Sequence, residues 1–246
     1  MPENIGIFSL FTKGDFFMQT QKNDKYIKRL VATALFAALA YAVHYIHVPV
    51  GFLNLDFKDV IIAICGMYFG PIYGLTLALA VPLLEFLTVS STGVYGLIMN
   101  VISSTAFVGT ASIIYHFKKT LSGAVISLCT AVLSMTAIMV LANMYVTPYY
   151  MGVSRGDVMA MIPTLLLPFN AVKAVLNAAL TLCLYKPITK ILKRSGFGKS
   201  VSDGADNSSV GNSKLRTLLV LIIGGCIAVG ALLVIFLVLG GRIAFN

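Results

Sequence analysis

The feature that most constrains this chain is a succession of apolar runs, each long enough to cross a bilayer. A transmembrane helix needs about 20 apolar residues. The pattern predicts seven such helices, over residues 30–46, two sharing 60–87, then 94–115, 121–145, 162–192 and 215–239. The shared stretch breaks at "FGPIYG", where Gly70, Pro71 and Gly74 supply a tight turn between antiparallel helices. With 58% hydrophobic and 11% charged residues, the chain lacks the polar surface that a water-soluble globule of 246 residues requires. The expected fold class is an all-α integral membrane protein.

The net charge of +9 is distributed in a way that argues for a membrane and against nucleic acid. Lys13, Lys22, Lys25, Lys28 and Arg29 precede the first run, Lys118 and Lys119 follow the fourth, and Lys186, Lys190, Lys193 and Arg194 close the sixth. The intervening loops hold little beyond Lys58 and Arg155. Under the positive-inside rule this alternation predicts a cytoplasmic N-terminus. The expected organisation is a cytoplasmic tail over 1–27, a six-span membrane domain over 28–194, a flexible cytoplasmic linker over 195–214 rich in Gly, Ser, Asp and Asn, and one further transmembrane helix within 215–246. The N-terminus lacks the short apolar core and small-residue cleavage site of a secretory signal.

Enzyme chemistry finds few residues to work with. No HExxH, GxSxG or paired-carboxylate spacing is present, and "GKS" at Gly198–Ser200 has Lys193 where a phosphate loop needs its first glycine. The chain therefore carries no ATPase motif of its own. Cys65, Cys129, Cys183 and Cys226 lie singly in four runs and read as packing residues. His44, His47 and His116 sit at span ends, and no metal site is expected.

Binding and passage remain. Polar residues at membrane depth usually face a cavity or the bundle interior, and the candidates are Glu85, Asn100, Asn143, Asn170, Lys173 and Asn177. Asn170, Lys173 and Asn177 follow i, i+3, i+7 and share one helix face, with Pro168 suited to that helix's first turn. Lys173 needs either a ligand or an acid, and Glu85 is the obvious acid within the spans. Asn143 reads as the exit of the fifth span into an aromatic outer loop, "MYVTPYY". Asp56 and Asp59 read as carboxylates at the start of the second span, where they favour a helix N-terminus, with Lys58 pairing to either. Ala34, Ala38 and Ala42 recur every four residues, a small-residue ridge along which another helix can approach closely.

In their order along the chain, "ALFAALAYAV", "LNLDFKDV", "FGPIYG", "SSTGVYG", "NMYVTPYY" and "PFNAVKAVLN" resemble the substrate-binding S component of energy-coupling factor (ECF) vitamin transporters, in particular the riboflavin-specific branch. The resemblance covers about residues 28–194. It implies a six-helix bundle with an outward-facing pocket, here with one helix added at the C-terminus. It implies a vitamin, riboflavin, as the transported ligand rather than a cofactor, and a toppling motion driven by partners: a membrane scaffold subunit and two cytoplasmic ATPase subunits. Carried onto this sequence, the polar ligand contacts are Asn143, Asn170 and Lys173. Thr92, Gly93 and Gly96 bring backbone close to the ligand, Asn100 is a secondary contact, and Ala34, Ala38 and Ala42 dock the scaffold. From position alone, Phe52, Leu53, Tyr145 and Tyr150 are expected to form apolar walls. The sequence departs from the family pattern at Leu97, where an acid is common, and in "LALAVPLLEFL". Another vitamin or flavin analogue, or a membrane scaffold whose Asn and Lys serve packing alone, stay open as alternatives.

Overall fold

A computed structural model describes residues 26–50, 53–89, 92–195, 224–227, 229–231, 233–234 and 244–245. The assignments to the tail and the linker therefore lie outside the described residues, as does most of the added helix.

Helix α1 spans Tyr26–His44. It leads into a hairpin of β1 (Ile46–Val50) and β2 (Leu53–Asp56), paired antiparallel with His47 opposite Asp56. A two-residue strand, β3 (Ala244–Phe245), adds to the free edge of β1, so the sheet order is β2-β1-β3. The all-α expectation is corrected here. The β-branched alternation in "IHVPV" forms a strand because the chain must turn sharply between α1 and the next helix, and Val48 and Val50 bury against Phe169 and Leu176.

Helices α2 (Lys58–Phe69) and α3 (Pro71–Thr88) meet at Gly70, whose φ of 119° only glycine adopts without strain, and Pro71 opens α3. The expected turn is in place, but α2 is shorter than the membrane-capable helices around it. Its 12 residues are all buried, and at 1.5 Å per residue they reach only about 18 Å of the roughly 30 Å hydrocarbon thickness. "VIIAICGMYF" is uniformly apolar because α2 is the centre of the bundle, with protein on every side. Hydropathy alone does not separate lipid from a protein core. At its end the backbones nearly touch: a Cβ on Gly74 would lie 2.7 Å from Gly66 Cα, and one on Gly66 would lie 2.2 Å from Ser112 Oγ.

Helix α4 covers Gly93–Phe117 and α5 covers Leu121–Met151. Thr120 caps α5 by accepting from Gly123 N at 3.0 Å, and left-handed Gly152 ends it. "MYVTPYY" is thus helical, and Asn143 lies two turns inside α5 rather than at its exit; Pro148 is accommodated within the last turn. A capping box of Ser154 and Asp157 starts α6 (Arg155–Met161), a π-helical turn follows at Ile162–Leu166, and α7 runs Leu167–Arg194. Pro163 and Pro168 remove two amide donors five residues apart, and the widened turn between them absorbs the loss.

Among the described residues, five helical stretches are long and apolar enough to cross a membrane: Tyr26–His44, Pro71–Thr88, Gly93–Phe117, Leu121–Met151 and Arg155–Leu192. Helices α3, α4 and α7 pack against α2, and α5 bridges α4 and α7. Helix α1 turns Ala32, Phe36 and Ala40 inward, with Phe36 edge-on to Phe69 at 6.1 Å. Ala34, Ala38 and Ala42 lie on its opposite, exposed face. At the far end of the chain Gly224 approaches α7 closely, since a Cβ there would sit 2.9 Å from Cys183 Sγ.

Candidate ligand-binding site

The hairpin end of the bundle holds a partly open cavity of about 310 Å³ between α3, α4, α5 and α7, with α1 and the hairpin at its edge. The helical period brings the sequence candidates to it. Asn143 of α5 and Asn170 and Lys173 of α7 line the cavity, as do Thr92, Gly96 and Asn100 at the start of α4. Gly93 does not line it. With φ of 61°, Gly93 instead makes the turn that launches α4. Leu53 and Tyr150 line the wall as expected, joined by Leu97, Phe86, Tyr95 and Phe169. Tyr145 points away: it is 62% exposed and lies under the Arg155 guanidinium, 5.8 Å from its ring centre. Phe52 lies outside the described residues.

Asn143 and Asn170, the cavity asparagines of α5 and α7, are tied to their own helices before any ligand arrives. Asn143 Nδ2 donates to Met139 O at 2.7 Å, and Thr147 Oγ1 donates to Asn143 Oδ1 at 2.8 Å. Asn170 Nδ2 donates to Leu166 O, at the end of the π turn, at 2.7 Å. Each bond uses one amide hydrogen and fixes the rotamer, leaving the second N–H and an oxygen lone pair for the cavity. Asn177 shares the α7 stripe, yet it is not among the cavity-lining residues; its buried amide atoms have no hydrogen-bond partner.

Lys173 meets an acid that the sequence reading gave another task. Its Nζ donates to Asp56 Oδ2 at 3.2 Å, and Lys58 Nζ lies 3.7 Å from the same oxygen. Glu85 pairs with Lys58 instead, and its Oε1 lies 3.2 Å from His44 Nδ1. The Lys173–Glu85 pair that the sequence left open as an alternative to a ligand contact is not formed. Neither Asp56 nor Asp59 makes a capping hydrogen bond to α2, whose N-cap residue is Phe57. Asp59 does lie in the first turn of α2, as a carboxylate favouring the helix N-terminus should, and there it is buried and accepts from Ser104 Oγ. Two ammonium groups and three carboxylates thus share a buried cluster under the hairpin. Burial alone would raise the Asp56 pKa, but the adjacent Lys173 and Lys58 outweigh it and hold the carboxyl down to about 2. It is an anion at any physiological pH.

The sequence reading missed the part played by Lys58, His44 and Ser103. The signal for Lys58 was present in "LDFKD", a lysine flanked by two acids beside an apolar run. Its buried partner, Glu85, lies 27 positions away on another helix. His44 and Ser103 carry no local signal, because only the packing of α1, α3 and α4 aims them at one cavity.

Residues 28–185 match the family model described as "ECF transporter, substrate-specific component". The riboflavin transporter RibU of Staphylococcus aureus (strain TCH60) is 28% identical over 177 residues, which cover 68% of this chain and 93% of that protein. The riboflavin transporter FmnP of Bacillus subtilis (strain 168) is 24% identical over 162 residues, covering 61% and 85%. A solved structure of the S component of a bacterial ECF transporter superposes with a TM-score of 0.60 at 28% identity, covering 69% of this chain and 99% of that one. The family match spans well over half of the chain, on a bundle with several membrane-capable helices and a partly open cavity lined by both polar and apolar residues. The chain thus belongs to the substrate-specific component family of ECF transporters and is a multi-pass membrane protein.

Proposed function

We propose that this protein captures riboflavin from the outer side of the membrane and delivers it inward as part of an ATP-driven importer. The observation that carries the proposal is the convergence of Asn143, Asn170 and Lys173 on one cavity of about 310 Å³ with Phe86, Tyr95, Tyr150 and Phe169 around it. That volume falls within the roughly 300–1,000 Å³ of ligand clefts. The ring system of riboflavin needs an apolar, aromatic slot, and its uracil-like edge alternates acceptors and a donor. Asparagine amides offer both functions and Lys173 offers donors only, which suits a ring carbonyl or nitrogen. The two relatives with riboflavin in their names support the same ligand. Thr92 and Gly96 bring the α4 terminus against it, Gly93 supplies the turn behind them, and Asn100 is a secondary contact.

The N-terminus is cytoplasmic in this scheme, and delivery proceeds by toppling of the loaded bundle. Family membership supports a membrane scaffold subunit and two cytoplasmic ATPases as the partners. The exposed ridge of Ala34, Ala38 and Ala42 is the surface on which the scaffold docks, because small residues let a second helix approach within van der Waals contact. Protein purified in detergent is expected to be yellow, or to take up riboflavin in titration calorimetry. A colourless preparation that ignores added riboflavin refutes the ligand.

The Lys173–Asp56 ion pair supports a second reading, in which Lys173 serves packing alone. Replacing Lys173 by Met separates the two. Retained riboflavin binding with a lowered folding yield favours packing, and lost binding in a well-folded variant favours the ligand contact.

A further inference from the structure

The cavity has a second polar wall, of which the reading above uses only Gly96 and, as a secondary contact, Asn100. On α4, Gly96, Asn100 and Ser103 follow i, i+4, i+7 and all face the cavity. Glu85 of α3 and His44 of α1 reach it beside them. Ser103 is 2% exposed and Glu85 3% exposed. Ser103 Oγ has no hydrogen-bond partner, and Glu85 Oε1 has none of good geometry although His44 Nδ1 lies 3.2 Å away. Asn100 Nδ2 reaches toward Glu85 Oε2 at only 3.5 Å. Buried polar atoms in native proteins are nearly always hydrogen-bonded, and unpaired ones aimed into a cavity call for a partner inside it.

We propose that Ser103, Glu85 and Asn100 form a subsite for a chain of hydroxyl groups on the ligand, separate from the α5 and α7 wall that takes the ring edge. The chemistry of the two walls differs. Lys173 and the second amide hydrogens of Asn143 and Asn170 make the α5 and α7 wall rich in donors. Glu85 only accepts, held in place by Lys58, and Ser103 and Asn100 both accept and donate. A run of hydroxyls satisfies such a wall, since each hydroxyl gives one hydrogen to a carboxylate or hydroxyl oxygen and accepts another. An apolar tail would leave Glu85 Oε1 and the Ser103 hydroxyl buried without a hydrogen-bond partner. The subsite rests on the flavin reading above, and within that reading it assigns the hydroxyl-bearing side chain to the α3 and α4 wall.

The test compares riboflavin with lumiflavin, which carries the same ring but a methyl group in place of the hydroxyl chain. Both are titrated into detergent-purified protein by calorimetry. The wild type is expected to prefer riboflavin, and Ser103→Ala and Glu85→Gln to weaken riboflavin by about tenfold, the effect of one lost buried hydrogen bond, while lumiflavin affinity stays within about twofold. Ser103→Ala removes one oxygen and no charge, so it decides the matter even if Glu85→Gln folds poorly. Variants that weaken both flavins equally or neither, or a wild type that binds both alike, overturn the subsite while the flavin reading stands. A wild type that binds neither flavin refutes both.

Discussion

Lys173 Nζ and Asp56 Oδ2 lie 3.2 Å apart although 117 positions separate the two residues, and this bond fastens the β hairpin to α7. Both groups are almost fully buried. Removing one side of such a pair leaves the other charge uncompensated, typically at about 3–5 kcal/mol. Asp56→Asn is therefore expected to lower the melting temperature of the purified protein markedly, although Glu85 still partners Lys58 and softens the loss. Adding Lys173→Met to Asp56→Asn is expected to restore part of the stability. A double variant whose losses simply add argues that the two residues are not coupled.

The same carboxylate sets an acid limit. Its pKa lies below the ordinary value of 3.8, at about 2, so ionised Asp56 stabilises the folded state fully at pH values above about 4. That contribution is lost as the pH falls from about 4 toward 2. Melting curves across this window are expected to fall more steeply for the wild type than for Asp56→Asn. Parallel curves count against the pair.

Asn170 is fixed by its bond to Leu166 O at the end of the π turn, with its remaining amide hydrogen free for the cavity. Asn170→Ala and Lys173→Ala are each expected to weaken riboflavin binding by roughly 1–3 kcal/mol, because a ligand atom loses its buried partner. Fluorescence quenching of riboflavin by the purified variants measures this directly. Unchanged affinity in both moves the ligand contact elsewhere.

Ala34 and Ala38 face outward from α1 and line no part of the cavity. Ala34→Trp or Ala38→Trp is expected to preserve riboflavin affinity in the isolated protein and to abolish uptake by whole cells. Equal loss of both contradicts a docking role for the ridge.

Gly74 has no room for a side chain against the Gly66 backbone. Gly74→Val forces α2 and α3 apart in a closely packed core, at about 1–3 kcal/mol or more. Gly70→Ala meets no atom within 4 Å but is strained by its φ of 119°. Both are expected to lower the melting temperature, Gly74→Val by more, since relieving its clash requires moving backbone.

Much of this protein was legible in its sequence because the deciding terms are local. Each long apolar run identifies a helix by a transfer energy that adds residue by residue, whatever the rest of the chain does. The 3.6-residue period alone set Asn170 and Lys173 on one face, and the Gly70–Pro71 turn follows from backbone sterics. The tertiary structure decided what depends on neighbours from distant segments. It turned the apolar run of α2 into a core helix, since burial in protein and burial in lipid select the same residues. It gave Lys173 to Asp56 and Lys58 to Glu85, a choice between acids that spacing along the chain does not encode, because pairing is settled by the few ångströms between packed helices. Only that packing aims Ser103 and His44 into the same cavity as Asn143.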